Sequence, residues 1–247
     1  MINILVIGEF CVDKFVYCNT NRLCPEAPVP VLIPFETVEN DGMSGNVIKN
    51  LLSLNKDLSI SHWTNSQKIT KTRYVDKKSN HLFFRIDEGD NSVENFELTK
   101  DKINEIGNFD IVIVSDYDKG FLSLDDLKNI GENSKLSILD TKKIINGDIT
   151  KSFSFIKLNE KEFENNKNLN DSSNILITLG EKGCRFNNID YPSIDSKETI
   201  DVSGAGDTFT SSFILKYFET DDIPQSIKFA NLMSSIVVSK KGVSVPF

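Results

Sequence analysis

The chain opens on a run, residues 2–7, that is apolar except for Asn3 and is closed by Gly8. A run without polar alternation predicts a central parallel strand buried on both faces. From residue 12 to 35 the pattern turns to alternation, with Val12, Phe15 and Tyr17 spaced along it, and is interrupted by Pro25-Glu26-Ala27-Pro28-Val29-Pro30. Prolines this dense exclude a helix and suit edge strands or a stiff turn. Residues 44–54 place Val47, Ile48, Leu51 and Leu52 on one stripe and predict a helix. A second strand pair, 69–75 and 81–86, is joined by the turn-forming Asp76-Lys77-Lys78-Ser79-Asn80.

Beyond residue 110 the rhythm becomes strand then helix. Strands are predicted at 111–114, 136–139, 153–158 and 175–179, a helix at 123–130, and closing helices at 204–217 and 223–239. Alternation of this kind argues for an α/β fold, a doubly wound parallel sheet with right-handed crossovers. No repeat or linker divides residues 1–247, so a single domain is expected. The early strands, from about 12–36 and 69–88, read as a small β-sheet inserted as a lid over the sheet's carboxyl edge, where such folds bind ligands.

The charge balance narrows the functions open to this fold. Among 247 residues, 28 Lys and Arg face 36 Asp and Glu, a formal charge of −8. That speaks against a nucleic-acid binder, which would show a basic face. No apolar run approaches the roughly 20 residues that span a bilayer, and no basic segment precedes the first strand, so a cytoplasmic protein without a membrane partner is expected. The four cysteines show no metal-ligand spacing and read as free thiols.

The stretch with most chemical content is Asp201-Val202-Ser203-Gly204-Ala205-Gly206-Asp207-Thr208-Phe209. Glycines at a helix start let backbone amides point at an anion, and the helix dipole adds positive potential there. A carboxylate in the same turn would repel a phosphate. The conflict disappears if Asp207 is a general base taking a proton from an attacking hydroxyl beside a transferring phosphoryl group. Alone, the same residues also fit a tight turn followed by an ordinary first-turn acid.

This stretch resembles the D-[TV]-[TS]-G-A-G-D signature of the ribokinase-like (PfkB) carbohydrate kinases. The resemblance implies an anion hole at Gly204, Ala205 and Gly206, and the catalytic base at Asp207. Other segments fall in the family's order. Gly8 and Asp13 resemble the first strand and its sugar-binding Asp, and Ser44-Gly45-Asn46 after Gly42-Met43 resembles the segment ending in the sugar-binding Asn46. Asn159-Glu160-Lys161-Glu162 is similar to the N-x-x-E motif, which implies a role for Asn159 at the phosphates and for Glu162 at Mg²⁺, where one carboxylate among waters suffices. A solvated helix-start acid is the other reading of Glu162. Thr178-Leu179-Gly180-Glu181-Lys182-Gly183 resembles the turn beside the nucleotide phosphates, though strand, Gly-turn, strand is also a plain hairpin. Phe229-Ala230-Asn231 and Val237-Val238-Ser239-Lys240-Lys241-Gly242 resemble the closing helix that borders adenine. ATP and Mg²⁺ are therefore implied.

Within the family, Arg22-Leu23-Cys24-Pro25-Glu26-Ala27-Pro28-Val29-Pro30-Val31, Thr70-Lys71-Thr72-Arg73 and Ser115-Asp116-Tyr117-Asp118-Lys119-Gly120 resemble heptose 7-phosphate kinases. An acceptor with its own phosphate needs local positive charge, for which Lys71, Arg73, Arg85 and Lys119 are the candidates. Cross-strand pairing with Asp76 or Asp87 is their other use. The resemblance leaves open a kinase for another sugar or sugar phosphate, and a catalytically weak ligand-binding homologue. Lids of this family often pair between subunits, which implies a homodimer contact through the 12–35 strands. Three departures stand out: Met43 replaces the second glycine of a Gly-Gly pair, Glu9 replaces an Asp, and 54–69 is a short bridge in which one sheet-edge unit is expected to be missing.

Overall fold

The computed structural model describes residues 1–166, 169, 173–193, 199–240 and 242–247. The opening apolar run forms β1 (Ile2–Gly8), with Ile4, Leu5, Val6 and Ile7 wholly buried. Then follow β2 (Phe10–Asn19), β3 (Ile33–Met43), α1 (Ser44–Leu54), β4 (Leu58–Trp63), β5 (Thr70–Asp76) and β6 (Leu82–Glu88). The second half runs α2 (Lys100–Ile106), β7 (Ile111–Asp116), α3 (Leu124–Glu132), β8 (Ser137–Thr141), α4 (Gly147–Ser152), β9 (Phe155–Asn159) and α5 (Glu160–Asn165). It closes with β10 (Ile175–Thr178), β11 (Cys184–Phe186), β12 (Ile189–Tyr191), α6 (Ala205–Thr220) and α7 (Ile223–Val238).

Eight strands form the main sheet in the order β12-β11-β10-β9-β8-β7-β1-β4, parallel from β10 to β4. Period-two alternation sends Leu5, Ile7, Val112 and Val114 to one face, with Ile106, Leu127 and Ile149 of α2, α3 and α4. Ile4, Val6, Ile111 and Ile113 go to the other face, with Val47 and Leu51 of α1, Phe213 of α6 and Ile227 of α7. Both faces are covered, as a doubly wound sheet requires. The second sheet, β3-β2-β5-β6, pairs β2 with β5 in parallel and is otherwise antiparallel. The expected α/β fold, a doubly wound sheet with a second small sheet, is present.

Several expectations need correction. The edge strand expected to be missing is there: β4 lies within the shortened bridge and pairs in parallel with β1. Its signal is short: only Leu58 and Ile60 alternate with Ser59 and Ser61 before the polar His62, on a half-buried edge. Only six residues, 64–69, then separate it from β5, and no helix forms there. The strict strand-helix rhythm also breaks, since β10, β11 and β12 form an antiparallel meander. In the early sheet β3 continues past residue 36 to Met43 and leads directly into α1. The proline-rich stretch is a turn, closed by a bond of 2.8 Å from the Cys24 amide to the Val29 carbonyl.

Candidate active site

Gly204 precedes α6 with φ 81°, a left-handed conformation that glycine adopts without strain. It brings no side chain to cap the helix, so the start of α6 keeps the positive end of its dipole for a ligand. Asp207, one turn in, is 7% exposed. Its Oδ2 accepts a hydrogen bond of 2.7 Å from the Asn46 amide, and its Oδ1 accepts one of 3.1 Å from the Tyr117 phenol. Burial, seconded by the charge of Asp140, pushes the Asp207 carboxyl up to about 6, against the opposing effects of Asn46, Lys157 and Tyr117. A carboxyl so placed can hold a proton or release it near neutral pH, as a general base must.

Two cavities meet at this turn. The first, of about 290 Å³, lies between the main sheet and the small sheet, and Gly204 and Asp207 belong to its wall. Asp13, Gly42, Asn46, Lys71, Arg73, Arg85 and Lys119 all line it. The second, of about 670 Å³, is bounded by Ala205 and Gly206 and gathers Asn159, Thr178, Gly180, Gly183 and Asn231. Lys240 donates to the carbonyls of Val245 and Pro246, while Lys241 lies outside the described residues.

Glu162 is the exception, lining neither cavity. Its Oε2 accepts from the amide of Asn159 at 2.8 Å, and Asn159 Oδ1 accepts from the amide of Glu162, the reciprocal box that starts α5. Among the described residues no group of three or more His, Cys, Asp or Glu could hold a metal ion. The donors present still fit Mg²⁺, which takes one or two carboxylates and completes its shell with phosphate oxygens and water. The capping box occupies only Oε2 of Glu162, so a metal ligand at Oε1 is compatible with it.

The cations expected to serve the acceptor are all paired. Arg73 meets Asp13 at 2.5 Å, Arg85 grips Asp87 at 2.5 and 2.6 Å, and Lys119 reaches Asp90 at 2.5 Å. Lys71 bridges Asp87 and Asp90 at 3.4 and 3.1 Å. Of the two carboxylates named from the sequence only Asp87 takes part, held at about 2 chiefly by its hydrogen bond from Arg85. Asp76 turns back to accept from the amides of Lys78 and Ser79 and from the hydroxyls of Ser79 and Thr20. With Lys142, which lies 4.1 Å over the Tyr117 ring, five cations stand around the first cavity against the four carboxylates of Asp13, Asp87, Asp90 and Asp207, a positive surplus of one.

Sequence reasoning assigned no role to Tyr117, Asp140, Lys142 or Lys157. Lys157 is buried against Asp140 at 3.0 Å, and Thr210 adds a bond of 3.0 Å to the same carboxylate. Burial works against the charge of Lys157, but Asp140, Glu162 and Asp207 outweigh it and hold the ammonium above its usual range. The longer acid at position 9 also finds a use. Glu9 is fully buried and accepts from the amides of Tyr117 and Lys119, each at 2.8 Å, fixing the loop that carries both side chains.

The arrangement has known counterparts. The sequence pattern of the pfkB family carbohydrate kinases matches residues 45–247. The bifunctional protein HldE of Helicobacter pylori (strain J99 / ATCC 700824) is 31% identical, the match covering 98% of this chain and 64% of that protein. The alignment runs over 299 positions, more than the 247 residues here, so the relative carries segments this chain lacks. Ribokinase from Thermotoga maritima superposes with a TM-score of 0.74 at 17% identity, covering 98% of this chain and 95% of that one. Arabidopsis thaliana ribokinase complexed with ribose and ATP gives 0.70 at 16%, covering 98% and 94%. With its family pattern extending over most of its length and its fold shared with ribokinases, the chain belongs to the pfkB family of carbohydrate kinases.

Proposed function

We propose that the chain is an ATP-dependent kinase that phosphorylates a hydroxyl of a sugar phosphate, with D-glycero-D-manno-heptose 7-phosphate as acceptor and the 1,7-bisphosphate as product. One observation carries the reading: residues 204–207 form a single turn whose Gly204 and Asp207 face one cavity and whose Ala205 and Gly206 face the other. A phosphoryl donor in the larger cavity and a hydroxyl in the smaller one would meet at that turn.

In this reading Asp13 and Asn46 bind acceptor hydroxyls, and Asn46 also holds Asp207 in place. The hydroxyl oxygen attacks the γ-phosphorus and forms the new P–O bond, while the bond to the β,γ-bridging oxygen breaks and ADP leaves. The hydroxyl proton goes to Asp207. The backbone at Gly204, Ala205 and Gly206, with the dipole of α6, faces the charge on the transferring group, and Lys157 stands beneath Gly206. Mg²⁺, held by Glu162 and waters, would supply screening of charge on the β- and γ-phosphates. The small sheet covers the acceptor and keeps water from competing for the phosphoryl group.

The positive surplus around the acceptor cavity supports a phosphorylated acceptor, and the resemblance of residues 22–31, 70–73 and 115–120 to heptose 7-phosphate kinases supports heptose. A second reading, another sugar phosphate, is favoured by Met43, which stands in the wall of that cavity. No helix among the described residues is long and apolar enough to cross a membrane, and we place the enzyme in the cytoplasm, where ATP is available. We also infer a homodimer through the small sheet, on whose surface Phe35, Val38, Phe84 and Ile86 are exposed.

The deciding experiment is an ATP-turnover screen over heptose, fructose, ribose and their phosphates, with product analysis and Asp207→Asn as control. Transfer to a phosphorylated sugar that is lost in the variant supports the reading. Binding of sugars without transfer would instead mark a ligand-binding protein.

A further inference from the structure

Met43 lines the cavity assigned to the acceptor, and we propose that it makes the site selective for the configuration of the acceptor's hydroxyls. The inference rests on the kinase reading above. Met43 joins β3 to α1 with φ 55° and ψ −129°, in the left-handed half of backbone space that side chains other than glycine avoid. It is 4% exposed and lines the cavity beside Gly42 and Asn46.

Its neighbours have no room for a side chain. A β-carbon on Gly42 would lie 2.2 Å from Asp13 Oδ2 and 2.6 Å from Cys11 Sγ, and one on Gly204 would lie 2.7 Å from Asn46 Nδ2. Polar side chains already fill the space at those two positions. Met43 is where this part of the wall admits bulk, at the expense of a strained backbone. The side chain gathers with Cys11 and Ile69, and Tyr117 packs against that cluster.

A thioether is at most a weak acceptor and never a donor, whereas Asp13, Asn46, Lys71 and Asp207 around it are strong hydrogen-bonding groups. An acceptor that turns a C–H face toward Met43 keeps its hydroxyls on those partners. An epimer that aims a hydroxyl at Met43 takes it out of water with nothing to bond. A glycine at position 43 would leave room there for that hydroxyl or for a water. The substrate class is thus a sugar phosphate with an apolar patch on the side facing the start of α1.

The test compares the full chain with Met43→Gly and Met43→Ala. The acceptors are D-glycero-D-manno-heptose 7-phosphate and the 6-phosphates of glucose, mannose, allose and galactose, the last three each differing from glucose at one carbon. Selectivity is read as kcat/KM with ATP and, independently, as Kd by calorimetry. The wild type should separate at least one epimeric pair by about tenfold or more, and Met43→Gly should shrink that ratio to about threefold or less. Met43→Ala, which removes the thioether but keeps the side-chain conflict with the backbone, should fall between. A wild type indifferent to configuration, or folded variants that keep the wild-type ratio, overturns the inference. Binding without turnover sinks the kinase reading yet still yields the ratio from Kd, and failure to bind any of these acceptors overturns both.

Discussion

The phenol of Tyr117 donates a 3.1 Å hydrogen bond to Oδ1 of Asp207. It favours the ionised form of a carboxyl that burial and Asp140 push up to about 6, alongside the Asn46 hydrogen bond and the charge of Lys157. Tyr117→Phe removes one of these three supports, so the Asp207 pKa should rise further. A hydrogen bond to a charged group is worth about 1.5 kcal/mol or more, which corresponds to about one pH unit. The acid limb of kcat/KM should move up by that amount, with the rate recovering at higher pH. A pH-rate profile whose acid limb stays in place would show that the phenol does not tune the base.

The same carboxyl should weaken the fold where it is ionised. Unfolded, it titrates at its ordinary 3.8, and folded at about 6. Below the lower value both states hold the proton and the site has no effect on stability. As pH rises from there toward 6 the unfolded state releases the proton more readily, so stability falls, and the loss is complete above 6. Two pKa units amount to about 3 kcal/mol. Asp207→Asn should therefore cut kcat by about 10²–10⁴ while raising the urea midpoint at pH 8, with the gain vanishing near pH 4. Paired urea titrations at the two pH values decide it, and a variant no more stable at pH 8 than at pH 4, relative to the wild type, contradicts the prediction.

Lys157 and Gly206 are coupled through space. A β-carbon on Gly206 would lie 3.0 Å from Lys157 Nζ, whose position is tied to Asp140. Gly206→Ala should push the ammonium aside and raise KM for ATP by about tenfold, or about 1.4 kcal/mol, with a much smaller change in KM for the acceptor. Lys157→Met should act on the fold itself. It leaves the Asp140 carboxylate with Thr210 alone, and breaking a buried pair in this way costs about 3–5 kcal/mol. Initial-rate kinetics check the first outcome, and chemical denaturation the second.

How much of this was legible in the chain depends on whether a signal is local. The stripe Val47, Ile48, Leu51, Leu52 is a local signal, and α1 spans the predicted residues 44–54. The 204–207 turn is local too, through composition alone. The Asp140–Lys157 pair is not, because it exists only through the parallel register that sets those residues side by side on β8 and β9. Each strand by itself reads as an apolar run holding one charge. In the small sheet the register of β5 against β6 sets Lys71 opposite Asp87, while Asp76 is captured by its own turn, so two carboxylates that looked equivalent have different fates. Asn46 and Asp207 meet across 161 residues, and only the resemblance to a family brought them to one site.

Glu162 offers the sharpest separation between a structural and a functional use of one side chain. Its Oε2 closes the box with Asn159 at the start of α5. Gln at this position can still accept from the Asn159 amide, so Glu162→Gln should preserve the helix start and shift the melting temperature little. What it removes is the negative charge. If that charge helps hold Mg²⁺ at the nucleotide phosphates, the Mg²⁺ concentration giving half-maximal activity should rise by about tenfold, equivalent to about 1.4 kcal/mol, while saturating Mg²⁺ restores much of the rate. Asn159→Ala is the complementary variant: it breaks the box from the other side and should cost about 1 kcal/mol of stability. A Mg²⁺ titration of Glu162→Gln that overlays the wild type would reduce Glu162 to the acid that starts α5.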